Sequence, residues 1–203
     1  MIQNKLVIGV TGISGSGTST VSKILDEVGG VVLSADKMVH DIMQKEGEAY
    51  YEIVKLFGDE ILDEDDNINR KKLGSFVFGD DNKEKLFLLE SIIHPKVTKI
   101  ILRGIDYIFS FNFNVFAVID APLLIESGLN KHCNRTWVVT SSYENRLKRI
   151  VKRDNISEDV ARKRLSSRKG DNFLSQHADT IIENNKDLAS LRKNIFEKLA
   201  MIK

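Results

Sequence analysis

Residues 10–20, VTGISGSGTST, constrain this chain more than any other stretch: an apolar run at 6–10 leads into Gly12, then four residues, Gly17, and Thr18-Ser19 ahead of a helical pattern. That is the spacing of the phosphate-binding loop G-x-x-x-x-G-K-[ST], with threonine at the lysine position. Glycine at 12, 15 and 17 lets backbone approach an anion closely. The amides of Gly15, Ser16, Gly17, Thr18 and Ser19, with Ser14 in the same loop, are expected to form an anion nest at the helix start. Ser19 keeps the hydroxyl that supports Mg²⁺ in such loops, and Thr20 is expected to pack or cap the helix.

A loop of this kind needs a strand before it and a helix after it, and the rest of the chain continues that alternation. Apolar runs at 5–11, 29–36, 114–124, 135–142 and 178–185 read as strands buried on both faces, with helical patterns between them. The expected fold class is α/β, a doubly wound five-stranded parallel sheet, whose ligands bind beyond the carboxyl ends of the strands. Between 47 and 111 there is no strand signal. Helical patterns succeed one another there, NKEKLFLLESIIH and PKVTKIILRGIDYIF among them, with the acidic run DEDDN at 63–67 as a solvated turn. The spacing of Phe57, Phe76, Phe78 and Phe87 predicts core positions, as does Trp137 in its strand. Residues 143–171 are helical and dense in arginine and lysine, the pattern of a basic lid over a nucleotide.

Length allows one such core with an inserted lobe, since the chain has 203 residues. With 30 basic and 29 acidic residues the net charge is +1, so the overall balance does not point to nucleic acid, and any polyanion site is local. The single cysteine, Cys133, excludes an internal disulfide framework and fits a reducing compartment, so a cytoplasmic location is expected. The first residues carry neither a signal-peptide pattern nor a membrane-spanning run. Four histidines and one cysteine form no spaced metal-ligand set.

Several motifs in one order resemble dephospho-CoA kinase, a P-loop kinase family: TGxxGSGxST at 11–20, Asp36 in SAD, FGDEIL at 57–62, RKKL at 70–73, His94-Pro95, DAPLLIE at 120–126, R-x-x-x-R-D at 149–154 and AD…I-x-N at 178–184. The resemblance implies a nucleotide-binding core at 1–40, 112–142 and 176–203, a helical substrate lobe at 41–111 and a helical lid at 143–175. It implies ATP and Mg²⁺, with dephospho-CoA as the small-molecule substrate phosphorylated on its ribose 3′-hydroxyl, no nucleic-acid or membrane partner, and a monomer or small homo-oligomer. Asp36 is then the general base, Arg149 and Arg153 are lid clamps on one helix face, and Asn184 joins the nucleotide side. Arg70, His94, Pro122, Leu123 and Glu126 become substrate-side residues.

The departures concentrate where charge meets phosphate. Thr18 stands for the family's lysine, Ser34 for the first Asp of D-A-D, Arg146 and Arg168 for glutamines, Asp171 for a basic residue and Lys186 for a glycine. Arg146, Arg168 or Lys186 are candidates to replace the missing charge, Arg146 and Lys186 being read otherwise as surface residues. Two alternatives stay open: a catalytically degenerate relative that binds nucleotide or a CoA-like molecule, and a P-loop kinase of another small acceptor.

Overall fold

The structure, a computed structural model, describes residues 5–111, 115–166 and 171–202. The strands are β1 (Val7–Gly12), β2 (Gly30–Ser34), β3 (Phe116–Asp120), β4 (Arg135–Thr140) and β5 (Thr180–Glu183). The helices are α1 (Thr18–Glu27), α2 (Ala35–Ile42), α3 (Tyr50–Phe57), α4 (Arg70–Val77), α5 (Lys83–Ser110), α6 (Tyr143–Asp154), α7 (Glu158–Ser166), α8 (Asp171–Ser175) and α9 (Leu188–Ala200). The strands form one parallel sheet in the order β2-β3-β1-β4-β5.

Every residue of β1, VIGVTG, is buried, as a central parallel strand covered on both faces requires. The chain runs to one side of β1 for β2 and β3 and to the other for β4 and β5. That makes the loop after β1 the switch point of the sheet, the position from which open α/β sheets bind ligands. Trp137 is fully buried among Ile8, Val10, Ile24, Leu25, Val139 and Ile182, and fixes α1 and α9 to one face of the sheet. Cys133 packs against Gly9, where an added Cβ would lie 2.7 Å from its sulfur. Burial, with the nearby Asp179 charge adding to it, pushes the Cys133 thiol up to about 12, so it stays protonated and inert at neutral pH.

The chain divides into two compact units, Met1–Ser34 with Ile105–Lys203, and Ala35–Gly104. The first holds the whole sheet together with α6 to α9. The second unit is helical apart from an isolated antiparallel bridge between Leu62 and Ile68. Its acidic run is a turn: Asp63 Oδ1 accepts from the amides of Asp65 and Asn67 at 3.0 and 2.9 Å. Asp66 takes a left-handed φ of 60° while its carbonyl accepts from the Tyr50 hydroxyl.

Three expectations are corrected here. The two helices read on either side of His94-Pro95 are one, since α5 runs 28 residues with Pro95 inside it. A proline removes only one helical hydrogen bond, and Leu89, Ile93, Val97 and Ile101 bury the surrounding turns. Phe78 and Phe87 are 67% and 68% exposed rather than core. Phe78 lies one residue beyond α4, and Phe87 precedes Leu89 by two residues, which on a helix is the opposite face. The second strand ends at Ser34, so Asp36 opens a helix instead of closing a strand. Residue 114, the expected start of the third strand, lies outside the described residues, as does Arg168.

Candidate active site

Gly17 is the N-cap of α1 with φ 100°, and no side chain caps the helix. The first amides of a helix have no carbonyl one turn back, so an uncapped start presents N–H groups to an anion. No acidic residue lies in that first turn to compete. Gly15 is left-handed too, at φ 82°. An added Cβ at Gly12 would lie 2.5 Å from the Val139 carbonyl oxygen, and one at Gly15 would lie 2.8 Å from that of Arg146. The Ser16 amide departs from the expected nest. It donates to the Ile13 carbonyl at 3.0 Å, closing the loop on itself. The Ser16 hydroxyl, by contrast, is buried without a hydrogen-bond partner and remains a donor for an incoming oxygen. Thr18 is half-buried, while Ser19 and Thr20 are exposed at the start of α1.

Behind the loop lie the ends of β4 and β5. Arg149 Nη1 donates to the carbonyls of Gly15 and Ser16 and to Ser141 Oγ, each at 3.2 Å. Its Nη2 donates to the Asn184 carbonyl at 2.9 Å and to Asn184 Oδ1 at 3.4 Å. Asn184 Nδ2 donates to the Ser16 carbonyl at 2.8 Å. Arg149 therefore grips loop backbone rather than standing clear as a lid clamp. The second expected clamp, Arg153, is 62% exposed and pairs with Asp154 at 2.7 Å. Asp154 also pairs with Arg164 of α7, at 2.7 Å, and the Arg153 hydrogen bond followed by these charges holds its carboxyl below the usual range. The two arginines lie four apart on α6, yet their guanidinium groups have different partners.

Of the charge-replacement candidates, Arg146 is buried at 8% exposure, correcting its surface reading, because α6 lies directly against the loop at Gly15. Lys186 is exposed and lines a polar cavity of ≈ 370 Å³ with Glu183, Asn185, Lys193 and Glu197. The side chain of Asp171 lies outside the described residues.

After β3 the chain turns back, and Thr11 Oγ1 donates to the Pro122 carbonyl at 3.1 Å. Pro122 and Leu123 are half-buried and Glu126 is exposed. Asp120 was not singled out from the sequence. It ends β3, in register with Val10 on one side and Ser34 on the other. The departure at Ser34 thus has a carboxylate-bearing residue one strand over; the signal was an Asp closing the apolar run FAVID.

In the helical unit, Asp36 is exposed in the first turn of α2, where a carboxylate is favoured by the helix dipole. Arg70 is the exposed first residue of α4, whose N-cap Asn69 accepts from the amides of Lys71 and Lys72. His94 is half-buried in the middle of α5, not at a helix end.

A family model described as dephospho-CoA kinase matches residues 6–190. A dephospho-CoA kinase of Fusobacterium nucleatum is 42% identical over 190 residues, which is 94% of this chain and 95% of that protein. One of Carboxydothermus hydrogenoformans is 39% identical over 189 residues, 93% of this chain and 90% of its own length. Among solved structures, the dephospho-CoA kinase from Campylobacter jejuni aligns with a TM-score of 0.62 at 29% identity over 97% of each chain.

Proposed function

The chain belongs to the dephospho-CoA kinase family, and from that membership we propose that it transfers the γ-phosphoryl group of ATP to the 3′-hydroxyl of dephospho-CoA, giving coenzyme A and ADP. The observation that carries this reading is the family match over residues 6–190, which includes an uncapped, glycine-shaped loop at the switch point of a parallel sheet.

The amides at the start of α1 and the Ser16 hydroxyl bind the nucleotide's phosphates. Ser19 and Asp120 are the protein oxygens assigned to Mg²⁺. The Ser19 hydroxyl in the first turn of α1 and the Asp120 carboxylate at the end of β3, the strand beside β1, are oxygen donors of the kind Mg²⁺ takes alongside nucleotide phosphates and water. When bound, Mg²⁺ neutralises charge on the phosphate oxygens. Asp36 accepts the proton of the acceptor hydroxyl. The hydroxyl oxygen bonds to the γ-phosphorus as the bond to the β–γ bridging oxygen breaks, and that electron pair leaves with ADP. Arg153 is assigned to reach over the nucleotide from the arginine-rich segment, once Asp154 releases it. Arg70, His94, Pro122, Leu123 and Glu126 are assigned to the acceptor.

The acceptor position is tested by offering the protein ATP, Mg²⁺ and dephospho-CoA in parallel with a 3′-deoxy analogue, and weighing the products by mass spectrometry. Phosphorylated product is expected from dephospho-CoA alone. Phosphorylation of the deoxy analogue would place the transfer elsewhere on the molecule.

A further inference from the structure

Each peptide unit fixes a carbonyl and the following amide in opposite directions. Whatever holds the carbonyl of Ser16 therefore aims the amide of Gly17, and whatever holds the carbonyl of Gly15 aims that of Ser16. The structure puts both carbonyls on one side chain: Arg149 Nη1 reaches each at 3.2 Å. Asn184 Nδ2 takes the Ser16 carbonyl a second time, at 2.8 Å. Arg149 is itself held by the Asn184 carbonyl and by Ser141 Oγ, at 2.9 and 3.2 Å. Ser141 Oγ in turn donates to the Asn184 carbonyl at 2.8 Å. Ser141 follows β4 and Asn184 follows β5, so the ends of two strands grip the loop that follows β1.

The contact is close enough to dictate sequence. A Cβ at Gly17 would lie 2.2 Å from Asn184 Nδ2, with Arg149 Nη1 at 3.9 Å. A guanidinium is permanently charged, and a half-buried one is screened less than a surface cation. Its charge lies beside the loop from which the lysine charge is missing.

We propose that Arg149 and Asn184 are positioning residues of the phosphate loop: their hydrogen bonds to the Gly15 and Ser16 carbonyls turn the Gly17 amide toward the ligand, and the Arg149 charge supplies from behind the loop part of the attraction that Thr18 does not. This rests on reading the loop as a phosphate site, so its test uses ligands that separate the two claims. Inorganic tripolyphosphate and adenosine are titrated calorimetrically into the parent, Arg149→Gln, Arg149→Lys and Asn184→Ala, and kcat and KM for ATP are measured on each.

Arg149→Gln is expected to bind tripolyphosphate roughly ten- to hundredfold more weakly, with KM for ATP rising in parallel and adenosine affinity unchanged. Arg149→Lys keeps the charge but loses the fork, and falls between Arg149→Gln and the parent. Asn184→Ala weakens tripolyphosphate several-fold. Should Arg149→Gln not fold, the lysine and Asn184 variants carry the same comparison. Equal tripolyphosphate affinity in parent and variants overturns the proposal, as does loss confined to kcat, which is the mark of a lid clamp. Equal losses of adenosine and tripolyphosphate overturn it too, since that is a general loss of structure. A parent that binds adenosine but no tripolyphosphate overturns the phosphate-loop reading itself.

Discussion

Replacing Asp36 by alanine is expected to lower coenzyme A formation roughly a thousandfold while leaving ATP affinity within about twofold of the parent. A base that takes the acceptor's proton during transfer acts on the reacting hydroxyl, so its removal lowers kcat and kcat/KM together. The local structure suits that role. Asp36 is exposed in the first turn of α2, whose dipole favours a carboxylate there, and its backbone is fixed by helix rather than loop. Steady-state kinetics with calorimetric ATP binding checks both halves. Wild-type kcat in the alanine variant would remove Asp36 from the chemistry.

Gly17→Ala is expected to weaken ATP binding about a hundredfold or more, with coenzyme A formation falling accordingly. Two costs act together. The backbone sits at φ 100°, a region that L residues enter only with strain of about 1–2 kcal/mol. The new methyl would also stand 2.2 Å from Asn184 Nδ2, and relieving that clash breaks the Asn184 bond to the Ser16 carbonyl. Gly128→Ala is the control: at φ 77° and ψ 6° it is left-handed like Gly17 and carries similar backbone strain, but a Cβ there meets nothing within 4 Å. ATP titration of both separates strain in general from damage to the loop. ATP affinity in Gly17→Ala equal to that of Gly128→Ala would show that the Asn184 clash has no part in holding the loop.

The parallel sheet was legible because its strands are uninterrupted apolar runs and because three closely spaced glycines after the first admit few alternatives to a phosphate loop. The family order was legible from motifs distributed over nearly the whole chain. What escaped was orientation. Arg149 and Arg153 share a helix face by spacing, yet spacing does not say that one guanidinium turns under the loop while the other reaches Asp154. Arg146 reads as a surface residue until α6 is laid against Gly15. The Ser16 amide was counted in the nest because a glycine-rich loop exposes its amides on average, whereas this one closes a turn on Ile13. Pro95 looked like a boundary since proline disfavours helix before it, and tertiary burial along α5 outweighed that preference.

On the proposed function, a loop with Thr18 in the lysine position still serves phosphoryl transfer. The most direct measurement is a single-turnover reaction with enzyme in excess over ATP, in the presence of Mg²⁺ and dephospho-CoA, following coenzyme A in the parent and in Thr18→Lys. The parent is expected to form coenzyme A, and Thr18→Lys to change its rate without being required for it. A parent that forms none while Thr18→Lys does would contradict it, and would leave the chain a nucleotide-binding relative that has lost its chemistry.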